Sequence, residues 1–304
     1  MSVDKIKIEA LKLMKDQHFD CVAVAVIDFK NADYQSFEIT NKNVVSEYPF
    51  MYFDLASLTK PLTNSAALLN NPDLFSNDID LLLNHKAGLP SGGLLSKKTW
   101  KEEILSYDIK ESPTLYSDYS SLRCMLELEK KSKNSLYDLC SYYFDPEMVH
   151  WTNLPVNADC PEYGIRDKHV VRGEVHDNNC YNIGTFVSHA GLFATIGGLS
   201  RSLLNLDKKI NLLELMKEEF QSHKNEDRFI VGFDHVMDPQ NTLAGSGASI
   251  KTFGHLGFTG TSFWIDTTKD KGAIILTNAT KTYWHERSGL TLLRKTLGEK
   301  IWNL

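Results

Sequence analysis

The segment from Cys21 to Phe29, which reads CVAVAVIDF, most constrains how this chain can fold. It is short, apolar and rich in β-branched side chains, the character of a central strand. Such a strand needs partners beside it and apolar cover around it. Tyr34 to Thr40 reads as one partner, and the rest lie at the far end of the chain. Arg228 to Val236, Thr261 to Asp266 and Ala273 to Thr277 all read as strands. The covers are helical. Between residues 4 and 16, Ile6, Ile8, Ala10, Leu11, Leu13 and Met14 recur at roughly helical spacing. Ser288 to Trp302 closes the chain as an amphipathic helix with Leu290, Leu293, Leu297 and Ile301 on one side.

Between these ends the pattern changes to helices and loops with few strands. The expected architecture is α/β. A mainly antiparallel sheet is built from both chain ends (1–60 and 226–304), with helices on both faces. A mostly helical lobe (61–225) is inserted between them. A cleft between sheet and lobe is the expected place for a site.

The 304 residues are 42% hydrophobic and 24% charged, which suits a globular protein with a sizeable core. The formal net charge of −6 argues against a nucleic-acid partner, and Lys130-Lys131-Ser132-Lys133 reads as a solvated helix end. The five cysteines (21, 124, 140, 160 and 180) form no Cys-x-x-Cys pair, so a zinc ribbon or redox pair is not expected, and a reducing compartment suits them. No signal peptide or membrane-spanning run is evident. The expectation is a cytoplasmic protein with no membrane partner; its oligomeric state is not legible.

The chemistry concentrates in Ser57-Leu58-Thr59-Lys60-Pro61. Ser-x-x-Lys alone is weak, since Ser2-Val3-Asp4-Lys5 matches it too. Context separates them. An apolar helical stretch follows Ser57, and Pro61 fits only a first helical turn, which puts Ser57 at or near a helix N-terminus. Residues three apart share a helix face, so Lys60 can reach the Ser57 hydroxyl. A serine needs a base, and burial with the positive helix end would lower the pKa of Lys60 enough to make it one. The same N-terminus offers backbone N–H groups to an oxyanion. Tyr116-Ser117-Asp118 falls in the helical region, where a tyrosine beside a lysine can relay a proton. Gly254-His255-Leu256-Gly257-Phe258 precedes a strand, and its glycines permit close approach.

In this order, Ser57-x-x-Lys60, Tyr116-Ser117-Asp118 and His255-Leu256-Gly257 resemble the three motifs of the penicillin-recognising serine hydrolases: class C β-lactamases, D-alanyl peptidases and related esterases. The resemblance spans about residues 50–280. It implies Ser57 as nucleophile, Lys60 as base, Tyr116 as proton relay, and the N–H groups of Ser57 and Phe258 as oxyanion hole. A further stretch, Gly173-Glu174-Val175-His176-Asp177-Asn178 with Ser188-His189-Ala190-Gly191-Leu192-Phe193, resembles the β-lactamase-like N-acetylmuramoyl-L-alanine amidases of peptidoglycan turnover. That makes His176 and His189 candidate substrate contacts.

Two departures matter. Asp118 stands where the family usually has Asn, and His255 where it usually has Lys. A neutral histidine holds a free carboxylate weakly, which argues against a dedicated β-lactamase or D-alanine carboxypeptidase. A zinc triad of His176, His189 and His255 lacks His-Glu-x-x-His spacing, so neither metal nor cofactor is expected. His85 and His150 have no motif around them and read as structural or exposed. Asp54 reads as a cap of the nucleophile helix. Three functions remain: an amidase or peptidase on a muropeptide or other small substrate, a carboxylesterase, or a non-catalytic sensor.

Overall fold

A computed structural model of the protein describes residues 3–40, 43–45, 50–222 and 227–304. Ser2, and Glu226 at the expected lobe boundary, lie outside the described residues. Eight strands form the main sheet: β1 (Cys21–Asp28), β2 (Asp33–Thr40), β3 (Asn43–Val45), β4 (Phe229–Ile230), β5 (Phe233–His235), β6 (Thr252–Leu256), β7 (Ser262–Asp266) and β8 (Lys271–Thr277). Their spatial order is β3-β2-β1-β8-β7-β6-β5-β4, and every pairing is antiparallel. The two chain ends meet in mid-sheet, where Ala25 of β1 stands opposite Ile274 of β8.

The pleat sorts the β1 side chains by parity. Ala23, Ala25 and Ile27 enter a core shared with the helix Ile196–Ile210 and the start of the helix that follows Ser57. Val22 and Val24 face the other way, toward the N-terminal helix (Val3–Leu13) and the C-terminal helix (Ser288–Trp302). Leu290, Leu293, Leu297 and Ile301 are all buried there. A third core fills the helical region, around the helices Asn77–Leu83 and Asp118–Ser132. The expected α/β class, with an antiparallel sheet from both chain ends and helices on both faces, is the observed one. All five cysteines are buried free thiols. Among the described residues, no helix is long and apolar enough to cross a membrane.

Three local readings need correction. Arg228 to Val236 is a hairpin rather than one strand. Val231 (φ 48°) and Gly232 (φ 81°) both adopt left-handed backbone, which turns β4 into β5. His255 and Leu256 lie on β6 itself, and Gly257 to Gly260 form the turn into β7. A small second sheet also joins Phe53–Asp54, Leu192–Ala194 and Met148–His150. It brings the segment before Ser57 against the segment after His189.

Leu297 is fully buried between the sheet and the N-terminal helix, whereas Leu292 is 54% exposed. Leu297→Ala should cost about 2–5 kcal/mol of stability, the usual range for a buried leucine. Leu292→Ala should cost less than about 0.5 kcal/mol. Urea unfolding of the two variants checks the contrast.

Candidate active site

The helix after the first part of the sheet begins irregularly. It opens as a 3-10 turn (Ala56–Leu58), passes through a π-helical stretch (Pro61–Ser65) and ends as α-helix (Ala66–Asn70). Pro61 can donate no i→i−4 bond, and the helix loosens where it stands. Ala56, just before Ser57, is held at φ 48°, in the left-handed region. That strain is concentrated on the residue that aims the serine.

Asp54 holds this turn. Its carboxylate accepts the Ala56 N–H at 2.8 Å and the His176 N–H at 2.7 Å. It therefore acts as a cap and also ties the Ser57 turn to the His176 loop. From the other side the Gly257–Thr261 turn presses in. Thr259 Oγ1 donates to Asp54 O at 2.8 Å and Thr261 Oγ1 to Leu55 O at 3.0 Å. A Cβ on Gly257 would lie 2.8 Å from Leu55 O, so only glycine allows this approach. Phe258 N–H makes no hydrogen bond among the described residues. Ser57 N–H lies in the first helical turn, where donors are left unpaired.

Lys60 lies beneath the serine and is almost fully buried. Its Nζ donates to Ser57 Oγ at 3.0 Å, to His189 O at 3.1 Å and to Asp118 Oδ1 at 2.7 Å. These three acceptors match the three protons of an ammonium. The expected lowering of its pKa is therefore overturned. Burial does pull the pKa down, but the Asp118 carboxylate, with the Tyr116 hydroxyl, outweighs it and raises the value. Lys60 is a charged donor to Ser57 in this arrangement, and Asp118 is the cause.

The Tyr116 segment is set by its neighbours. Ser117 caps the helix Asp118–Ser132 by accepting the Ser120 N–H at 2.9 Å. The Ser117 N–H donates to His85 Nδ1 at 3.2 Å, and the His85 ring lies 4.7 Å from the Tyr116 ring. Burial, with Lys60 nearby, lowers His85 to about 3, so it is a neutral acceptor. It braces the tyrosine, a role no sequence motif signals. His150 is buried too and contacts Thr152.

His255 is buried against the same group, its ring 5.9 Å from that of Tyr116. It bonds Leu256 O through Nδ1 at 2.8 Å, while Nε2 has no hydrogen-bond partner among the described residues. Burial drives its pKa down to about 3, so it carries no charge at neutral pH.

Two cavities meet at Ser57. The first, about 450 Å³, is lined by Ser57, Tyr116, Asp118, His176, His189 and Phe258, together with Asp177. The second, about 420 Å³, shares Ser57, Tyr116 and Phe258 and adds His255 and Gly257. All nine residues singled out from the sequence thus gather around one serine. In the first cavity His189 Nε2 meets Asp177 Oδ1 at 2.9 Å. Burial raises the Asp177 pKa, but His189 outweighs it and holds the carboxyl well below the usual range. The His176 ring packs 5.6 Å from that of Phe258. Asp177 also caps the short helix Asn178–Ile183 by accepting the Cys180 N–H. Its pairing with His189 was not legible, because twelve residues separate the two in sequence. Among the described residues, no group of three or more His, Cys, Asp or Glu side chains could hold a metal.

Full burial raises the Asp54 carboxyl from 3.8 to about 7, against two N–H donors that lower it. A raised folded-state pKa adds stability that is fully present below the unfolded value and is lost as pH rises through the folded one. Asp54→Asn removes this dependence. Its stability deficit relative to wild type should therefore shrink between about pH 5 and about pH 8, as read by urea unfolding. A deficit that stays constant would contradict the raised value.

Solved structures place this arrangement among known folds. A β-lactamase from Mycobacterium bovis superposes with TM-score 0.61 at 16% identity, covering 97% of this chain and 100% of that one. Simvastatin synthase from Aspergillus terreus gives 0.64 at 12%, covering 99% and 98%. The octameric penicillin-binding protein homologue from Pyrococcus abyssi gives 0.63 at 14%, covering 97% and 78%. At such identities the likeness concerns the fold. No curated protein matches the chain at significant similarity. The Beta-lactamase family pattern matches residues 79–297, beginning after Ser57 and Lys60 and taking in Tyr116, Asp118 and the His255-Leu256-Gly257 segment. That match spans well over half of the sequence, and the chain therefore belongs to the β-lactamase family of serine hydrolases and acyl transferases.

Proposed function

We propose that this enzyme is an acyl-serine amidase that cuts a peptidoglycan-derived fragment between muramic acid and its peptide. The observation that carries the reading is the 3.0 Å contact between Lys60 Nζ and Ser57 Oγ at the meeting of two cavities. His176 and the His189–Asp177 pair, on the stretch that resembles muramoyl amidases, line one of those cavities.

In this reading Ser57 Oγ attacks the lactyl carbonyl carbon. The Lys60 ammonium stabilises negative charge building on Oγ. With Lys60 held protonated by Asp118, the Tyr116 hydroxyl is the relay: its oxygen accepts the serine proton as its own proton passes to the departing amine nitrogen. The C–N bond breaks, the peptide leaves with a free amino terminus, and the muramoyl ester on Ser57 is hydrolysed by water. The N–H groups of Ser57 and Phe258 receive the tetrahedral oxyanion. His176, His189 and Asp177 contact the substrate from the first cavity. A second reading, a carboxylesterase, is favoured by the neutrality of His255, since esters need no charged anchor there.

Ser57→Ala should remove nearly all turnover without altering the unfolding profile, and Lys60→Ala should cost about as much, because members of one catalytic unit are not additive. Ser2→Ala should change nothing. Tyr116→Phe should slow the chemical step by roughly 10²–10⁴-fold, and a wild-type single-turnover rate would move the proton relay to another group. Incubation with N-acetylmuramoyl-L-alanyl-D-glutamate should release dipeptide and intact N-acetylmuramic acid, identified by mass. Turnover of simple esters alone would establish the esterase instead, and release of terminal D-alanine from longer muropeptides a peptidase.

A further inference from the structure

A third cavity, of about 410 Å³, adjoins the first and shares His176 and Asn178 with it. Its walls come from around the hairpin Ile165–Val170 and from Thr280 to Trp284, beyond β8. Aromatic rings lead into it. Trp284 is 57% exposed, and Phe258, on the rim of the first cavity, is 48% exposed. Their ring centroids lie 5.9 Å apart, the Phe258 ring lies 5.6 Å from that of His176, and the tilts are only 36° and 35°. The three rings form a strip that runs from the Ser57 cavity to the third one. Aromatic faces left to water gain from being covered by an apolar surface.

The rest of the cavity is polar and carries no spare charge. Arg166 Nη1 lies 3.3 Å from the Glu174 carboxylate, and Nη2 donates to Val175 O and His176 O at 2.7 Å. Lys281 pairs with Asp20 at 2.6 Å and Glu162 at 3.4 Å. With counter-ions in place, the walls call for a neutral ligand rather than an anion. Hydrogen-bonding groups do remain. Asn178, at the threshold between the cavities, accepts the Arg166 Nε–H at 3.0 Å through Oδ1, while its Nδ2 makes no hydrogen bond among the described residues. Thr280 is buried, and its hydroxyl has no hydrogen-bond partner among the described residues. A buried hydroxyl left unpaired costs stability, so one beside a cavity is matched to something that enters it.

We infer that the third cavity is a subsite for a neutral sugar ring, the unit next to muramic acid on the acyl side of the scissile bond. This rests on the amidase reading above and deepens it: the preferred substrate is a disaccharide peptide. A pyranose has an apolar face of C–H bonds and a rim of hydroxyls. The face suits Trp284, and the rim suits the Asn178 amide with the Thr280 hydroxyl behind it. With the lactyl carbonyl at Ser57, the muramic acid ring fills the first cavity against His176 and the His189–Asp177 pair. The next sugar then crosses Asn178 and lies against Trp284.

Two substrates test this: N-acetylmuramoyl-L-alanyl-D-glutamate, and the same molecule carrying N-acetylglucosamine on the 4-hydroxyl of its muramic acid. Wild-type kcat/KM should favour the disaccharide by roughly tenfold, the size of one or two net hydrogen bonds. In Trp284→Ala the ratio should fall to about one, whereas Trp284→Phe keeps an aromatic face and should retain most of the preference. A wild-type ratio at or below one, or an unchanged ratio in Trp284→Ala, overturns the subsite. A titration separates the subsite from the amidase reading. N,N′-diacetylchitobiose should change the tryptophan fluorescence of wild type saturably, and that change should vanish in Trp284→Ala. If neither muropeptide is cut but this change is seen, the amidase reading fails and the sugar subsite stands. If wild type shows no saturable change, or Trp284→Ala shows the same one, the subsite fails whatever the enzyme cuts.

Discussion

The buried ammonium of Lys60 organises the cleft. A charge removed from water must have all its protons accepted, or the structure around it is destabilised. Its three acceptors come from three separate segments: Ser57 on the same helix, His189 O beside the small sheet, and Asp118 at the start of a helix in the lobe. Holding that charge therefore holds together the sheet side and the helical side of the cleft. The family's usual amide would accept one such bond with a neutral oxygen. A carboxylate at 2.7 Å instead fixes Lys60 in its protonated form. The division of labour in the proposed chemistry, with the lysine as charge and the tyrosine as proton carrier, follows from that one substitution.

Around this centre, short backbone contacts set the serine. Asp54 reaches the Ser57 turn and the His176 loop with one carboxylate. Thr259 and Thr261 bond the carbonyls of residues 54 and 55, and Gly257 lets the turn close on them. The left-handed Ala56 is the strained residue that these contacts hold in place. Rigid framing of this kind is what a nucleophile and its oxyanion donors need, because misplacement by a fraction of an ångström weakens every hydrogen bond to the reacting atoms.

Charge then divides the cleft. Asp118 and Asp177 line one cavity, each paired, with Lys60 and with His189, while Arg287 and Arg294 line the other with no ion pair among the described residues, and His255 in that second cavity is neutral because it is buried. The loss of a lysine in the third motif, read alone, suggests a site indifferent to anions. In the folded protein, positive charge enters the same space from the C-terminal helix.

The sequence by itself determined the frame. The apolar run at β1, the strands near the C-terminus and the leucine stripe of the last helix are local patterns, and each dictates burial through its own periodicity. Helical spacing also put Lys60 beside Ser57, and the resemblance of the Tyr116, His255, His176 and His189 segments to the family's motifs indicated which other residues surround the serine. The hairpin at Val231-Gly232 was missed because a left-handed valine leaves no mark in composition. What only the tertiary structure decided was protonation and pairing. The Lys60 charge depends on Asp118, fifty-eight residues away, the His189–Asp177 pair closes across a loop, and Arg294 meets the cleft from the far end of the chain. Electrostatic effects of this kind depend on distance and burial in space, and neither is encoded in the spacing of residues along a chain.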